Sequence, residues 1–241
     1  MERLQKVMAE AGIGSRRYCE EIIQEGLVQV NGAAVRKLPV LVDPQKDRII
    51  VDGRRLKFER KVYYLLNKPK KVVCTNSDPQ GRIRAIDLLK GVKERVYSVG
   101  RLDAESKGLV IMTNDGELAQ QLTHPKYGVA KTYIAEVAGS VSGSEIEQLQ
   151  KGRYLPQGKA SVGKVKVLRR GPKQSLLEIT LQEGRDRQIE KMLGRLGHTV
   201  KQLTRVKIGK LELKGLGVGN YRVLTAGEVN ALQRLSKRVD G

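Results

Sequence analysis

The sequence predicts an α+β protein with a small N-terminal domain at residues 1–59 and a larger domain at residues 60–241. Three observations predict this class. Two short helical patterns precede paired strand patterns in the first domain, strand patterns dominate after residue 60, and the helices among them follow no regular alternation with the strands. The second domain is therefore expected to hold a mainly antiparallel mixed sheet flanked by helices.

The elements of the first domain follow from periodicity and capping residues. Apolar residues recur at helical spacing from Leu4 to Ala11, which predicts a first helix. Ser15 offers an N-cap to a second helix over the segment RRYCEEIIQEG. The strand patterns LVQVNG and RIIVDGRRL contain Asn-Gly at 31–32 and Asp-Gly at 52–53, pairs that favour tight turns. Two helices and a small hairpin are expected.

The elements of the second domain follow a linker, KFERK, at residues 57–61. Strands are predicted from their β-branched and aromatic content for VYYLLNKP, KVVCT, RVYSV, GLVIMT, KTYIAEVAG, KVKVLRR, SLLEITL and TVKQLTRVKIGKLEL. Helices are predicted for GELAQQLTH, SGSEIEQLQKG, DRQIEKMLGRLG and TAGEVNALQRL. In the last of these, Thr225 and Glu228 have the spacing of a capping box.

Charge indicates the kind of partner. The chain of 241 residues carries 46 Lys and Arg against 26 Asp and Glu, a formal net charge of +20. Basic groups spread along a whole chain attract a polyanion and accelerate encounter with it, which predicts binding to nucleic acid. A membrane surface is the competing polyanion, but the sequence shows no basic amphipathic helix with a wide apolar face.

The start of the chain bears on its location. The first residues, MERLQKVMAEAG, are charged where a signal peptide would be apolar. No apolar run approaches the roughly 20 residues that a membrane-spanning helix needs. A cytoplasmic protein is therefore expected, and since no obvious interface is evident in the sequence, a monomer.

Metal and cofactor sites are not predicted. The cysteines, Cys19 and Cys74, and the histidines, His124 and His198, lie far apart in sequence and form no paired zinc-binding motif. No phosphate-binding loop is present, and GLGVGN near residue 217 lacks the following helix that a dinucleotide-binding fingerprint needs. These patterns leave chemistry without a metal, nucleotide or organic cofactor.

The segment GRLDAESKGLVIMTNDG, at residues 100–116, sets Asp103 in a glycine-bounded turn just before a strongly apolar run. Two interpretations fit this position. An aspartate in a turn most often caps the backbone. A single carboxylate can also act as a nucleophile or base when nearby cations hold it ionised.

Two parts of the sequence resemble known families. The stretch RLQKVMAEAGIGSRRYCEEIIQEGLVQVNGAAV resembles the S4-type RNA-binding domain. GRLDAESKGLVIMTNDG is similar to the catalytic motif of ribosomal RNA pseudouridine synthases of the RsuA and RluB branch, and above all of RluB-like synthases. Further stretches that resemble this family follow in its order: YYLLNKPKKVVCTNSDPQGR, KTYIAEV, EGRDRQIEKMLGRLGHTVKQLTRVKIG and LTAGEV.

The resemblance implies the pseudouridine synthase fold and an activity. The enzyme would isomerise a uridine of ribosomal RNA, expected to be that of the large subunit, by flipping the base, cleaving its bond to the sugar and re-attaching it through carbon. It implies that Asp103 is the catalytic aspartate and that the ring of Tyr133 stacks on the flipped uracil. Arg101 would fill the vacated place in the RNA stack, and Lys131 would face the RNA from the strand of Tyr133.

The resemblance also implies RNA contacts outside the catalytic motif. Arg16 and Arg17, on the second helix, would dock the S4-type domain onto structured RNA. Further contacts are expected from the basic residues of the segment GRDRQIEKM, which are Arg185, Arg187 and Lys191.

One residue departs from the family pattern. The family usually has Arg or Lys directly after a Gln-Ile or Gln-Val pair, as the ion-pair partner of the catalytic aspartate, whereas this chain has Glu190. A second carboxylate beside Asp103 would raise a pKa rather than lower it. Either Lys191 or Arg187 supplies the missing cation, which we expect, or the activity is weaker than that of related enzymes. The alternative hypothesis is an RNA-binding or ribosome-assembly protein that keeps the synthase fold and has lost catalysis.

Overall fold

The computed structural model of the chain describes residues 1–155, 158–160, 162–182 and 187–236. It divides into two compact units. The first unit comprises residues 1–62 with the short segments 93–95 and 114–116, and the second unit takes the remainder. No helix among the described residues is both long enough and apolar enough to cross a lipid bilayer.

The first unit contains two helices and six short strands within its described residues. The elements are β1 (Glu2–Arg3), α1 (Leu4–Glu10), α2 (Arg16–Gln24), β2 (Val28–Val30), β3 (Ala33–Val35), β4 (Leu41–Val42), β5 (Ile49–Val51) and β6 (Arg54–Arg55). Strands β3, β2, β5 and β6 form a sheet in that order, and β1 pairs with β4. The prediction of two helices followed by a hairpin is thus confirmed, and the sheet that contains the hairpin has four strands.

Local signals predicted these elements well. The hydroxyl of Ser15 accepts a hydrogen bond from the backbone N–H of Tyr18 at 3.1 Å, which is the expected N-cap of α2. Asn31 and Gly32 join β2 to β3, and both have a positive φ, of 53° and 87°. A two-residue turn with two positive φ angles matches the twist of the strands it joins. The core beneath is apolar and is formed by Leu4, Val7, Met8, Cys19, Ile22, Ile23, Val28, Val42, Ile49 and Val51.

The second unit is built on one large sheet with helices against it. Its elements are β7 (Tyr63–Lys68), a 3₁₀ helix (Ala85–Leu88), β8 (Tyr97–Ser98), β9 (Lys107–Thr113), α3 (Gly116–Thr123), a second 3₁₀ helix (Pro125–Tyr127), β10 (Lys131–Ala138), α4 (Gly143–Lys151), β11 (Arg153–Leu155), β12 (Gly158–Ala160), β13 (Lys164–Arg169), β14 (Gln174–Leu181), α5 (Gln188–Gly194), β15 (Val200–Ile208), β16 (Leu211–Glu212), β17 (Tyr221–Val223) and α6 (Ala226–Ser236).

The order of strands in the large sheet is β13, β14, β10, β15, β9, β7 and β17, with β16 paired to β15 and β8 paired to β9. Among the described residues, β15 and β9 are its one parallel pair, and the other pairs are antiparallel. This confirms the predicted α+β class with a mainly antiparallel mixed sheet. The capping box of α6 is also confirmed, since Glu228 N–H donates to Thr225 Oγ1 and Thr225 N–H to the Glu228 carboxylate.

Two strand predictions were inaccurate, and several short strands were not predicted. The segment KVVCT forms no strand, and only Val73 makes an isolated bridge, to Arg84. The long segment TVKQLTRVKIGKLEL is broken after Ile208 into β15 and β16, where Gly209 has a positive φ of 54°. Strand β17 was not predicted, and neither were β1, β4, β11 and β12. Strand pairing depends on distant partners, so local composition alone does not determine it.

Strands β9 and β15 approach each other unusually closely at the centre of the sheet. Gly108 of β9 pairs in parallel with Arg205 of β15. Gly108 has a φ of +109°, and a Cβ atom there would lie 2.2 Å from the carbonyl oxygen of Arg205. Only glycine fits this position without displacement of one strand. Beneath it, Leu65, Leu109 and Ile111 belong to an apolar core covered by α3 and α6.

Lys68, the last residue of β7, is a fully buried lysine. Its side chain is 0% exposed, and Nζ donates to the carbonyl oxygens of Pro69 at 3.0 Å and Val72 at 2.8 Å. Burial lowers the pKa of the Lys68 ammonium to about 8. An unfolded chain, with a lysine pKa near its ordinary value, therefore binds more protons than the folded chain between pH 8 and 10.

This difference predicts a pH-dependent stability. The free energy of unfolding is expected to rise by about 2 kcal/mol from pH 8 to pH 10 through Lys68 alone, because stability rises with pH wherever the unfolded state binds more protons. Urea unfolding of the parent chain and of Lys68→Met, across this pH range, isolates the contribution as the difference between the two proteins. A difference that stays constant with pH would contradict the prediction.

Candidate active site

The second unit contains a cavity of about 490 Å³ at the centre of its sheet. Its walls come from the loop of residues 100–106 before β9, from the central strands β10 and β15, and from the start of α5. A volume of this size falls within the usual range of ligand pockets. The elements that meet here are separated by up to about a hundred residues in sequence, so the sheet order assembles the site.

Asp103 lies at the mouth of this cavity. The backbone N–H of Ser106 donates to the carbonyl oxygen of Asp103 at 3.0 Å, which closes the turn, and the N–H of Lys71 donates to the carbonyl oxygen of Ala104 at 2.7 Å. The neighbouring Leu102 is buried and anchors the loop. The Asp103 side chain is 39% exposed and lines the cavity, so its carboxylate is available to a bound molecule. Arg101, also lining the cavity, is exposed.

A cation from the start of α5 stands beside this carboxylate. Arg187 is the N-cap residue of α5 and has a left-handed backbone, with φ 48° and ψ 39°. Its Nε atom lies 4.0 Å from Asp103 Oδ2 and 3.9 Å from Glu190 Oε1. The Arg187 side chain is 62% exposed, so both pairs are loose and solvated. Arg187 is thus shared between two carboxylates.

Strand β10 supplies an aromatic ring and a second cation to the cavity. Lys131 and Tyr133 are two residues apart on β10 and line the same cavity, as the alternation of a strand requires. Tyr133 is buried, and the Nζ atom of half-buried Lys131 donates to the carbonyl oxygen of Val129 at 3.1 Å. Burial, assisted by the charge of Arg205, lowers the pKa of the Lys131 ammonium to about 8.

Arg205 of β15 is a buried residue of the cavity wall. It is 2% exposed, and its Nε–H donates to the carbonyl oxygen of Leu109 at 2.8 Å. The register of β10 and β15 sets Arg205 opposite Tyr133, next to a β-bulge. Cross-strand partners point to the same face of a sheet. A buried guanidinium therefore lies beside the buried aromatic ring.

The charges around the cavity favour an anionic molecule with an apolar, planar part. The described lining includes four cations, at Arg101, Lys131, Arg187 and Arg205, and two carboxylates, at Asp103 and Glu190. Excess positive charge attracts phosphate, and cations near a carboxylate favour its ionised form. An ionised carboxylate at the mouth, with an aromatic ring below it, can act on the sugar of a nucleotide whose base enters the cavity.

The predicted site residues fall into three groups. Asp103, Tyr133, Arg101, Lys131 and Arg187 line the cavity together. Lys191 is half-buried on α5 and is not part of the described lining. The third group has no described position at the cavity: Arg16 and Arg17 are exposed on α2 of the first unit, and Arg185 is not among the residues that the structure describes.

Sequence reasoning did not single out Arg205. A signal was present, because Leu203 and Arg205 share one face of a strand whose inward positions are otherwise apolar. A charged residue at such a position is unusual, since an arginine is seldom fully buried without a partner. Within the residues that the structure describes, no cluster of three or more His, Cys, Asp or Glu side chains could hold a metal ion.

The chain is similar in sequence to known families and proteins. A family model for RNA pseudouridylate synthase matches residues 62–194, and one for the S4 domain matches residues 2–49. The chain is 43% identical to the ribosomal large subunit pseudouridine synthase B of Bacillus subtilis, covering 98% of this chain and 97% of that protein. It is 42% identical to an uncharacterized RNA pseudouridine synthase of Aquifex aeolicus, covering 95% of this chain and 93% of that protein.

A solved structure shows the same fold over nearly the whole chain. It is the crystal structure of a pseudouridylate synthase, with 31% sequence identity and a TM-score of 0.68. The superposition covers 96% of this chain and 100% of that chain.

Proposed function

Since the chain belongs to the RNA pseudouridylate synthase family, we propose that it isomerises a specific uridine of large-subunit ribosomal RNA to pseudouridine. The observation that carries the proposal is the cavity in which Asp103, Tyr133 and four cations meet. The name of the Bacillus subtilis relative supports ribosomal RNA of the large subunit as the substrate. The net charge of +20 supports binding to such a polyanion.

Asp103 acts on the ribose in this proposal. Its carboxylate sits at the open mouth of the cavity, where the sugar of a nucleotide would lie if the base were inside. A carboxylate is a competent nucleophile or base when ionised, and the Nε atom of Arg187, 4.0 Å from Asp103 Oδ2, places a positive charge next to it. The N-glycosidic bond is cleaved, the uracil is turned, and a carbon–carbon bond to the ribose is formed.

Arg101 and Tyr133 hold the RNA in its reactive arrangement. A uridine stacked in a helix or loop does not expose its glycosidic bond until it is flipped out, which costs about a few kcal/mol. Exposed Arg101 is placed to fill the vacated position with its planar guanidinium. The ring of buried Tyr133 is available to stack on the flipped uracil, while Lys131 adds positive charge to the same wall.

Docking of the RNA involves further basic residues. We propose that Arg16 and Arg17 contact structured RNA from the S4 domain, because both are exposed at the start of α2. Arg185 and Lys191 are proposed as additional RNA contacts on basic charge alone. We also propose that residues 1–59 act as the docking domain and residues 60–241 as the catalytic domain, of a protein that works as a monomer in the cytoplasm.

Arg187 rather than Lys191 is proposed to replace the cation that the family has at position 190. Its contact with Asp103 supports this choice, and Glu190 competes for the same guanidinium at 3.9 Å. Removal of the competing charge should strengthen the pairing of Arg187 with Asp103.

We therefore expect Glu190→Gln to raise the rate of pseudouridine formation by about two- to fivefold, in proportion to the modest free energy of an exposed ion pair. Arg187→Gln should lower the rate. Single-turnover kinetics on ribosomal RNA lacking modifications measures both. Glu147→Gln is the matched control, since Glu147 is an exposed helical glutamate paired with Lys151 and outside the described cavity lining. A lower rate in Glu190→Gln would contradict the competition.

The experiment that tests the proposed function maps the product. The protein is incubated with ribosomal RNA transcribed without modifications, and pseudouridine is located by carbodiimide labelling and primer extension. One or a few modified uridines in large-subunit RNA are expected. Labelling confined to small-subunit RNA would overturn the substrate, and binding without any product would favour the alternative hypothesis of an RNA-binding protein that has lost catalysis.

A further inference from the structure

Arg205 has a donor for which the described protein offers no acceptor. Its Nε–H is used by the carbonyl oxygen of Leu109 at 2.8 Å. Its Nη2 atom is buried, and among the residues that the structure describes it has no hydrogen-bond partner. Arg205 is 2% exposed and lines the cavity. A buried charged donor without a partner is costly, so such a donor at a cavity wall is arranged for an acceptor that the bound molecule brings.

The depth of Arg205 indicates which part of a nucleotide would meet it. Asp103 and Arg187, 39% and 62% exposed, stand at the mouth, whereas Tyr133 and Arg205 are buried. The phosphodiester chain continues on both sides of any internal nucleotide and must stay outside the cavity. The base is therefore the part that reaches Arg205, and phosphates are left to the exposed cations Arg101 and Arg187.

We propose that Arg205 Nη2 donates a hydrogen bond to a carbonyl oxygen of the flipped uracil and thereby selects uridine over cytidine. The inference rests on the proposed function, because it takes Asp103 as the group that faces the ribose. With N1 bound to the ribose at the mouth, the ring atom opposite N1 is C4, and its carbonyl oxygen O4 points toward the floor of the cavity.

The same donor serves the ring after it has turned. Rotation of uracil about the axis through N3 and C6 exchanges N1 with C5 and the C4 carbonyl with the C2 carbonyl. O2 then occupies the place that O4 held, and Arg205 keeps an acceptor in both orientations. The overall change conserves all atoms: the bond from C1′ to N1 breaks, the bond from C1′ to C5 forms, C5 releases its hydrogen as a proton, and N1 gains a proton.

Cytidine lacks the acceptor that this arrangement needs. Its C4 carries an amino group, which is a donor, so two donors would face each other in a buried place. A site built to hydrogen-bond one group strongly rejects an analogue that leaves its polar groups unpaired. A carbonyl of uracil satisfies Arg205, whereas the amino group of cytosine does not.

The test compares two probes that differ only in the base. Affinities of the full-length chain for five-nucleotide oligouridylate and oligocytidylate are measured by fluorescence anisotropy with labelled RNA. Both probes carry the same phosphate charge, so the salt-dependent part of binding cancels in the ratio. We expect the parent chain to prefer oligouridylate by about tenfold, as a hydrogen bond to a charged donor provides. In Arg205→Met, the ratio of the affinity for oligouridylate to that for oligocytidylate should fall close to one.

Arg205→Lys is the second variant. The side chain of lysine ends in a single nitrogen, so an ammonium that keeps the contact with Leu109 does not also occupy the position of Nη2. It should fold like the parent chain by urea unfolding and still lose most of the preference. If Arg205→Met fails to fold, Arg205→Lys alone tests the inference.

Three results would overturn the inference. They are a parent chain without preference, a preference unchanged in both variants, and an equal loss of affinity for both probes, which indicates a purely structural arginine. If Arg205 paired with Asp103 instead of the base, both substitutions would lower the rate of pseudouridine formation. They would leave the preference for oligouridylate unchanged. If no pseudouridine is formed but the preference for oligouridylate is present and depends on Arg205, the proposed reaction is rejected. The contact between Arg205 and the base is then still supported.

Discussion

Asp103→Asn is expected to lower the rate of pseudouridine formation by at least about 10⁴-fold, the scale on which essential reactive residues act. Asparagine has nearly the same shape as aspartate, but it has no charge and is neither a nucleophile nor a base at neutral pH. The affinity for RNA should stay the same or rise by about two- to threefold, because one negative charge is removed from a surface that meets phosphate. Single-turnover kinetics and anisotropy on the same RNA measure the two effects separately.

The matched control for this substitution is Asp87→Asn. The side chain of Asp87 is 38% exposed and pairs with Arg84 at 2.6 Å, so it resembles Asp103 in exposure and in having an arginine beside it. It lies outside the described lining of the cavity. Asp87→Asn should keep the parent rate within about a factor of two. Substantial activity in Asp103→Asn would reject Asp103 as the reactive group, since a group that performs chemistry cannot be replaced by an inert isostere.

Gly108→Ala is expected to lower the free energy of unfolding by about 4 kcal/mol, which combines backbone strain with overpacking. The added Cβ would meet three backbone atoms of Arg205, at 2.2, 2.9 and 3.0 Å, and a backbone cannot yield as a flexible side chain can. The substitution would push β9 and β15 apart at their parallel contact. It should also reduce the rate of the reaction, because Arg205 and the loop before β9 both line the cavity.

Gly215→Ala separates the cost of backbone strain from the cost of steric overlap. Gly215 has a φ of +78°, and a Cβ atom added there would have no neighbouring atom within 4 Å, so alanine strains the backbone without a collision. Its expected cost is about 1 kcal/mol. Urea unfolding of both variants gives the comparison. If Gly108→Ala were no more destabilising than Gly215→Ala, the close approach of the two strands would not be a constraint on the fold.

Features encoded by near neighbours could be predicted from the sequence. The N-cap at Ser15, the turn at Asn31 and Gly32 and the capping box of Thr225 each depend on atoms within a few residues. Their side chains or backbone angles determine the outcome before any distant contact is made. The fold class was predictable for the same reason, because periodicity is a local property that accumulates along the chain.

Features that depend on distant partners could not be predicted in this way. Val73 lies in a segment with strand composition, but it makes an isolated bridge to Arg84 and belongs to no named strand. The depth of Arg205 depends on the register of β15 with β10 and β9. The family resemblance indicated Asp103, Tyr133 and Arg187 as site residues, whereas the sharing of Arg187 between Asp103 and Glu190 became evident only from the distances.

The exposure of the cavity mouth has a consequence for how the reaction is protected. With Asp103 and Arg187 both in contact with solvent, the pocket is open to water where the sugar would react. Chemistry that frees a reactive base from its sugar benefits from a dry enclosure. We expect the polynucleotide to cover this opening with the nucleotides that flank the target. A free nucleoside would leave the opening accessible to water, so it should be a poor substrate even though its base fits the cavity.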